Sequence, residues 1–266
     1  MKCIWALFDS GNGCYKRAVC NYFEGICEIY SIGVDMGNKN DHFINLNLAD
    51  MSEYFGRNVM FDELDKLPKP DIILASPPCE SFSIGSTMKD GNACWQTLRT
   101  SNLLGEVLAS VDFTPRTKKQ IDTHGEKHPN QKKHWWKNTY NRLNGELCAF
   151  NTLRIIEKYA PSVWVIENPQ SSKLWNYYWQ IHDFKGIKNV AHYNYYDATF
   201  PKKPTTFLSN ICLGLKTTTV VSKFGIGKNK DKIPVRGYNK RSDIPISLVK
   251  SIIGACLKEI DKENSQ

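Results

Sequence analysis

The feature that most constrains the fold is a series of short apolar runs that alternate with helical stretches. Helices are predicted over residues 14–23 and 146–159. Five apolar runs are too short for helices and are bounded by Gly, Pro, Asp or Asn, which predicts buried strands at Cys3–Phe8, Ile29–Val34, Phe43–Leu48, Ile72–Ala75 and Val163–Ile166. Strands that alternate with helices predict an α/β fold, with a mostly parallel central sheet covered on both faces.

A last helix is predicted to begin near Pro245, with Ser242 or Asp243 as its N-cap. The apolar residues that follow recur at helical spacing: Leu248, Val249, Ile252, Ile253, Cys256 and Leu257. A chain of 266 residues can bury a full core, as one large domain or as one domain with a small appendage. Its composition, with 41% hydrophobic and 23% charged residues, is that of an ordinary soluble globular protein.

The cysteines argue against both a disulfide framework and a zinc site. There are nine of them, an odd number, and no two form a C-x-x-C pair. We therefore expect reduced thiols, an intracellular protein and no bound metal. The apolar run from Ile4 to Phe8 is too short for a signal-peptide core, and no stretch approaches 18 apolar residues, so no membrane segment is expected.

Positive charge is concentrated in two segments of a chain whose formal net charge is +8. Residues 115–142 contain eight lysines and arginines against two acids, and residues 216–241 contain eight against one. The first segment also holds Trp135, Trp136 and Tyr140, a mixture of cations and aromatic rings that is typical of nucleic-acid surfaces. An equally weighted interpretation is a solvated, partly disordered insertion.

In a parallel sheet, ligands bind beyond the carboxyl ends of the strands, so the residues after each run are candidates for a site. A tight glycine turn that follows the first run opens a helix and lets a small ligand approach the backbone. Asp35 follows the second run and could accept hydrogen bonds from ribose hydroxyls, and Asp50 follows the third and could accept from an exocyclic amine. A structural turn and two helix caps are the alternatives. The candidate cofactor residues are Phe8, Asp9, Gly11, Gly13, Asp35, Asp50 and Pro78.

The fourth and fifth strand ends carry reactive side chains. Pro77 and Pro78 fix the backbone direction and place the thiol of Cys79 where a nucleophile could be used. Glu167 and Asn168 directly follow the apolar run Val163–Ile166. A buried small hydrophobe at Cys79 and a surface carboxylate at Glu167 are the structural alternatives. A thiol and a carboxylate on separate strand ends, beside a nucleoside-type pocket, favour catalysis.

This order of motifs resembles the DNA cytosine-5 methyltransferases, which depend on S-adenosylmethionine. The motifs are F-x-x-G-x-G from Phe8, the acids Asp35 and Asp50, P-C-x-x-F-S from Pro78, and Glu167-Asn168. They cover most of residues 1–170, and weaker similarity continues in Ala198–Pro201 and around Pro245. The resemblance implies a Rossmann-like class I methyltransferase fold, double-stranded DNA as substrate, and the cytoplasm of a prokaryotic or phage-infected cell.

The resemblance also implies a mechanism and assigns catalytic roles to Cys79, Glu167 and Asn168. The thiolate of Cys79 would add to C6 of a cytosine flipped out of the duplex. Glu167 would protonate or hydrogen-bond N3 of the base, and Asn168 would hold the loop. The activated C5 would then take the methyl group, and loss of the C5 proton with release of the thiol would end the cycle.

The chain departs from the family in its recognition regions. Where the family has P-Q-x-R-x-R, this chain has Pro201-Lys202-Lys203-Pro204, and an ammonium does not reproduce the guanidinium fork. The expected domains are a catalytic domain of residues 1–84, 143–215 and 242–266, a DNA-binding insertion at 85–142, and a short recognition segment at 216–241. The residues expected to contact DNA are Ser83, Lys118, Lys119, Lys132, Lys133, Lys202, Lys203 and Arg236.

Two other functions remain open. Amino-methyltransferases that act on adenine N6 or cytosine N4 carry [D/N/S]-P-P-[Y/F/W], and Ser76-Pro77-Pro78 fits its first three positions. Cys79 replaces the aromatic ring that would stack on the base, which favours carbon 5. A nucleic-acid-binding protein that has lost turnover would explain the missing arginines. RNA as the substrate and a partner protein that contributes specificity also remain open.

Overall fold

The computed structural model describes residues 1–10, 13–35, 37–38, 40–101, 107–131, 133–225, 232–234 and 242–265. The chain divides into two compact units. The first consists of residues 1–77, 151–170 and 186–266, and the second of residues 78–150 and 171–185.

The bounds of the strands and helices follow in chain order. The strands are β1 Lys2–Leu7, β2 Cys27–Gly33, β3 Phe43–Asn45, β4 Ile72–Ala75, β5 Thr87–Met88, β6 Gly91–Asn92, β7 Trp95–Ser101, β8 Val107–Pro115, β9 Val163–Pro169, β10 Ile187–His192, β11 Pro204–Ser209, β12 Phe224–Gly225 and β13 Ile233–Pro234. The helices are α1 Cys14–Tyr22, α2 Val59–Leu64, α3 Lys118–Lys127, α4 Trp135–Tyr159, α5 Leu174–Asn176, α6 Tyr193–Tyr196 and α7 Ile246–Glu263.

The first unit is built on a seven-stranded sheet in the order β10-β11-β9-β4-β1-β2-β3. The five strands from β9 to β3 are parallel to one another, and β11 runs antiparallel to both β9 and β10. The prediction of an α/β fold with a mostly parallel central sheet is confirmed, and this arrangement is compatible with a Rossmann-like fold.

Continuous apolar runs place the central strands in the core, as parallel sheets require. The segments Ile4–Leu7 and Ile72–Ala75 are at most 1% exposed. Helix α1 contributes Ala18 and Val19 to a core cluster to which α7 contributes the apolar residues predicted for it from Leu248 to Cys256. The periodicity of α7 is therefore the pattern of its buried face.

The bounds of β1, β2 and α1 differ from prediction by one or two residues, and three other boundaries differ in ways that affect the site or the fold. Strand β9 continues through Glu167 and Asn168 to Pro169, because β11 pairs with this part of it and supplies a hydrogen-bonded neighbour. Strand β3 ends at Asn45 instead of Leu48, so Asp50 does not directly follow it. Helix α4 begins at Trp135, eleven residues before the predicted start at 146.

The predicted N-cap of the last helix is also wrong. Pro245 occupies the N-cap position of α7 and no side chain caps the helix. The carboxylate of Asp243 instead accepts a hydrogen bond of 2.6 Å from Arg17 in α1. This ion pair therefore joins α1 to the segment that precedes α7.

The second unit has a four-stranded antiparallel sheet in the order β5-β6-β7-β8, followed by α3 and the first part of α4. Its core is aromatic: the ring of Trp95 stacks on Phe113 at 4.5 Å and on Phe82 at 5.8 Å, and Tyr177 lies 5.6 Å from it. The described part of the predicted insertion at 85–142 therefore contains regular secondary structure.

Of the predicted recognition segment at 216–241, the structure describes residues 216–225 and 232–234. Phe224 and Gly225 pair in parallel with Ile233 and Pro234. Within the described ranges, no helix is long and apolar enough to cross a membrane. No group of three or more His, Cys, Asp or Glu among the same residues could hold a metal ion.

A pair of glycine substitutions tests the packing of the sheet. A Cβ atom at Gly33 would lie 2.7 Å from the backbone oxygen of Asp9, whereas a Cβ atom at Gly254 in α7 would meet nothing within 4 Å. We expect Gly33→Ala to lower the free energy of unfolding by about 1–3 kcal/mol. Gly254→Ala should raise it by up to about 1 kcal/mol, because alanine favours the helix. Urea unfolding measures both, and equal stability of the two variants would contradict this packing.

Candidate active site

The sheet of the first unit has a topological switch point beside β1. The chain runs outward from β1 to β2 and β3 and then crosses to β4, on the other side of β1. Ligands in open α/β sheets bind in the crevice outside the carboxyl ends of the strands at such a point. Phe8 and Asp9 follow β1 there, and Ser76 and Pro77 follow β4.

The backbone after β1 turns sharply around the buried carboxylate of Asp9. Phe8 has a φ of 63°, a left-handed conformation uncommon for a non-glycine residue. The hydroxyl of Ser31 donates a 2.8 Å hydrogen bond to Asp9, and a Cβ atom at Gly13 would collide with the same carboxylate. The absence of a side chain at Gly13 therefore makes room for the carboxylate of Asp9. Gly11, the other glycine predicted to hold a cofactor, lies outside the described residues.

The two other predicted acids both lie in the first unit. Asp35 comes two residues after β2, is half-buried, and accepts a 3.3 Å hydrogen bond from the backbone N–H of Gly37. The carboxylate of Asp50 accepts a 2.5 Å hydrogen bond from the hydroxyl of Ser52. The side chain of Asn151 in α4 donates a 2.7 Å hydrogen bond to the backbone oxygen of Asp50, which attaches this loop to the helix.

Glu167 is the centre of a buried polar cluster at the carboxyl end of β4 and within β9. It is 8% exposed, so the structural alternative of a surface carboxylate at this position is wrong. Its carboxylate accepts a hydrogen bond from Ser76 and one of 3.4 Å from the hydroxyl of Tyr193. The hydroxyl of Ser76 lies 2.8 Å from that of Tyr15, so a chain of hydroxyl groups leads away from the carboxylate.

Burial raises the pKa of the Glu167 carboxyl above its ordinary value, because the charged form loses hydration. The charge of Lys203 and the hydrogen bonds from Ser76 and Tyr193 oppose this shift without cancelling it. The ammonium of Lys203 lies 4.9 Å from the centroid of the Tyr193 ring. The site therefore holds a carboxyl that retains its proton to higher pH than an exposed glutamate does.

Asn168 contacts the loop after β4 through its Nδ2, while its Oδ1 accepts no hydrogen bond from the described residues. Its Nδ2 donates a 2.9 Å hydrogen bond to the backbone oxygen of Pro77, the residue after Ser76. The side chain is 1% exposed, and no described residue donates to its Oδ1. The predicted role of Asn168 in holding the loop stays a prediction, and its contact with Pro77 supports that role.

Cys79 lies in the second unit, in a tight loop that is partly exposed. Its backbone oxygen accepts hydrogen bonds from the N–H groups of Phe82 at 3.0 Å and Ser83 at 2.7 Å. The fully buried side chain of Asn92 donates to the backbone oxygens of Ser81 and Ser83. No disulfide joins Cys79 to the other cysteines, all of which lie in the described part of the chain.

The structure also explains the other residues of the P-C-x-x-F-S motif. Phe82 is fully buried and stacks on Trp95, so it anchors the loop in the core of the second unit. The hydroxyl of Ser83 accepts a 3.0 Å hydrogen bond from the N–H of Gly85 and caps the next turn. Pro78 is half-buried. The backbone that follows Cys79 is therefore held by packing and by hydrogen bonds.

The predicted DNA-contacting lysines are distributed over both units. Lys118 and Lys119 are exposed at the start of α3, and Lys133 is half-buried before α4. Lys202 is exposed in the first unit, whereas Lys203 is half-buried and acts on Glu167 as described. Lys132 and Arg236 lie outside the described residues.

Sequence reasoning missed Tyr15, Tyr193 and Asn92 as site residues. Tyr15 follows the glycine turn by two residues, a weak signal at most. Tyr193 belongs to the aromatic sequence Tyr193–Tyr196, in which no local pattern selects one ring. Asn92 has no local signal, because its function depends on loop oxygens nine and eleven residues away.

No family model matches the chain, and no curated protein matches it. The geometry of the site and the resemblance of its motifs are therefore the indications of function.

Replacement of Glu167 by glutamine tests the burial of its carboxyl. A raised pKa means that the folded protein binds more protons than the unfolded chain between the unfolded pKa, about 4.5, and the folded pKa. Wild-type stability therefore falls as the pH rises through this window. We expect the stability of Glu167→Gln relative to wild type to increase as the pH rises from about 4 to about 8. Urea unfolding over this range measures it, and a difference independent of pH would contradict the burial.

Two adjacent lysines provide a matched test of the electrostatics. Lys203 lowers the pKa of Glu167, and Lys202 lowers the pKa of His192. We therefore expect Lys203→Met to raise the pKa of Glu167 further and to leave the pKa of His192 unchanged. Lys202→Met should raise the pKa of His192 and leave the pKa of Glu167 unchanged. NMR titration of the Glu167 carboxyl carbon and the His192 ring measures both. Equal effects of both variants on Glu167 would contradict this assignment.

Proposed function

We propose that the protein is a DNA cytosine-5 methyltransferase that uses S-adenosylmethionine. The observation that carries the proposal is the buried carboxyl of Glu167, with its raised pKa, at the carboxyl ends of a parallel sheet. The same residue belongs to the E-N motif of the resemblance, and the P-C-x-x-F-S motif supplies a thiol on a fixed loop.

Glu167 has the properties that the reaction asks of a proton donor. Addition of a nucleophile to C6 of cytosine sends electrons toward N3, and a proton held near N3 stabilises the product of that addition. A carboxyl whose pKa is raised by burial holds this proton near neutral pH better than an exposed one does. The hydrogen bonds from Ser76 and Tyr193 orient the carboxyl.

Cys79 is the proposed nucleophile. Its thiolate forms a bond to C6, and C5 would then take the methyl group with S-adenosylhomocysteine as the leaving group. Loss of the C5 proton would re-form the C5–C6 double bond and release the thiolate. Asn92 and Phe82 hold the loop that carries Cys79, so little reorganisation of the backbone is needed. The target base must leave its stack to be reached, since both faces of its C5–C6 bond are covered in a duplex.

The acids of the first unit fit the proposed cofactor. S-adenosylmethionine, when bound, supplies an electrophilic methyl group. Asp35 is half-buried beyond β2 and has the carboxylate that ribose hydroxyls require. Asp50 would accept from the adenine amine, and the turned backbone at Phe8 would border the same crevice. The carboxylate of Asp9 accepts a hydrogen bond from Ser31, so its proposed role is to stabilise the turn.

Trapping with 5-fluorocytosine tests the reaction and the nucleophile together. Fluorine at C5 cannot leave as a proton does, so a carbon-5 enzyme stays covalently bound to DNA that contains it. We expect a protein–DNA adduct on a denaturing gel in the presence of S-adenosylmethionine, with the mass of DNA plus protein plus one methyl group. Cys79→Ser should abolish it. Cys212→Ser, which changes an exposed cysteine of the first unit, is the matched control and should leave it intact.

The other outcomes separate the remaining functions. Methyl transfer to ordinary DNA without an adduct would contradict the proposal in favour of an amino-methyltransferase. The absence of both reactions, with no binding of S-adenosylmethionine by calorimetry, would favour a nucleic-acid-binding protein without turnover.

A further inference from the structure

The first turns of α4 expose three large aromatic rings in the second unit. Trp135 is 41%, Trp136 53% and Tyr140 69% exposed. The same helix buries Ala149 completely, and the helical spacing places Trp136 and Tyr140 on the side away from Ala149. Trp136 and Tyr140 are four residues apart and share one face of the helix, with ring centroids 6.4 Å apart.

The sequence around these rings is mainly cationic, and one of its cations, Arg142, pairs with Glu146 at 2.7 Å. From Lys127 to Gly145 the sequence contains five lysines and arginines and no acidic residue. Burial lowers the pKa of His124 in α3, and the neighbouring His128, Lys133 and Arg116 lower it further, so basic side chains lie near this ring. Such a field attracts a polyanion.

We propose that Trp136 and Tyr140 form a stacking surface for unpaired bases, and that the substrate is therefore single-stranded or locally melted DNA. This inference depends on the proposed function, whose substrate it specifies. In a duplex, neighbouring base pairs cover the faces of every base, and the grooves present hydrogen-bonding edges to which a flat ring contributes little. Unpaired bases expose their faces, and aromatic side chains between cations bind them without regard to sequence.

The role of each group differs. The rings cover the faces of the bases, which removes apolar surface of both the rings and the bases from water. Lys133 and Lys137 neutralise the phosphates that connect those bases, so they contribute the salt-dependent part of the affinity. Ring substitutions should thus act on single strands in particular, and lysine substitutions should act on all DNA.

Fluorescence anisotropy with a labelled thymidine oligonucleotide of about 12 nucleotides, and with a duplex of the same length, tests this surface without any catalysis. We expect Trp136→Ala combined with Tyr140→Ala to weaken single-strand binding about tenfold or more, and to change duplex binding far less. The same positions changed to Phe keep flat rings and should bind nearly as wild type does. Trp179→Ala, at another exposed ring of the second unit, is the control.

Three results would overturn the proposal. These are unchanged single-strand affinity of the alanine pair, an equal loss for single strand and duplex, and a loss of self-association by light scattering with single-strand binding intact. The last would identify the surface as a contact between copies of the chain. Thermal unfolding establishes that each variant is folded. A failure here leaves the 5-fluorocytosine adduct unaffected, so the two proposals fail separately.

Discussion

Burial of the Glu167 carboxyl is the constraint on which the rest of the first unit depends. A carboxylate in an apolar interior is costly unless it is hydrogen-bonded, paired or protonated. Here β11 pairs with β9 and holds Glu167 inside the sheet, while Ser76, Tyr193 and Lys203 approach it from other elements. Burial remains the dominant effect and leaves a carboxyl with a raised pKa. The pairing of β9 with β11 thus buries the Glu167 carboxyl, and this burial raises its pKa.

The second unit stabilises the short loop that carries Cys79. Its core is a set of stacked rings around Trp95, and Phe82 from the Cys79 loop is one of them. A fully buried amide, Asn92, satisfies two loop oxygens with Nδ2 and the backbone N–H groups of Cys94 and Trp95 with Oδ1. Packing of Phe82 and hydrogen bonds to Ser81 and Ser83 thus hold the loop that carries the thiol of Cys79.

The central fold could be predicted because its signals are local. Runs such as Ile72–Ala75 are apolar throughout, and only a strand buried on both faces needs that pattern. The continuation of β9 to Pro169 could not be predicted, because it depends on pairing with β11, almost forty residues later. Tyr193 escaped prediction for the same reason: its hydroxyl gains meaning only from a carboxylate 26 residues away. Glycine at Gly13 was predicted to serve a ligand, and the structure shows that it accommodates Asp9.

The most direct test of the account is the identity of the methylated atom. Single-stranded and duplex DNA of mixed sequence would be incubated with the protein and S-adenosylmethionine labelled in its methyl group, and then digested to nucleosides for chromatography with mass detection. The account predicts label in 5-methyl-2′-deoxycytidine. Label in N4-methyl-2′-deoxycytidine or N6-methyl-2′-deoxyadenosine would contradict it, since transfer to an amine needs neither the thiol of Cys79 nor the proton of Glu167.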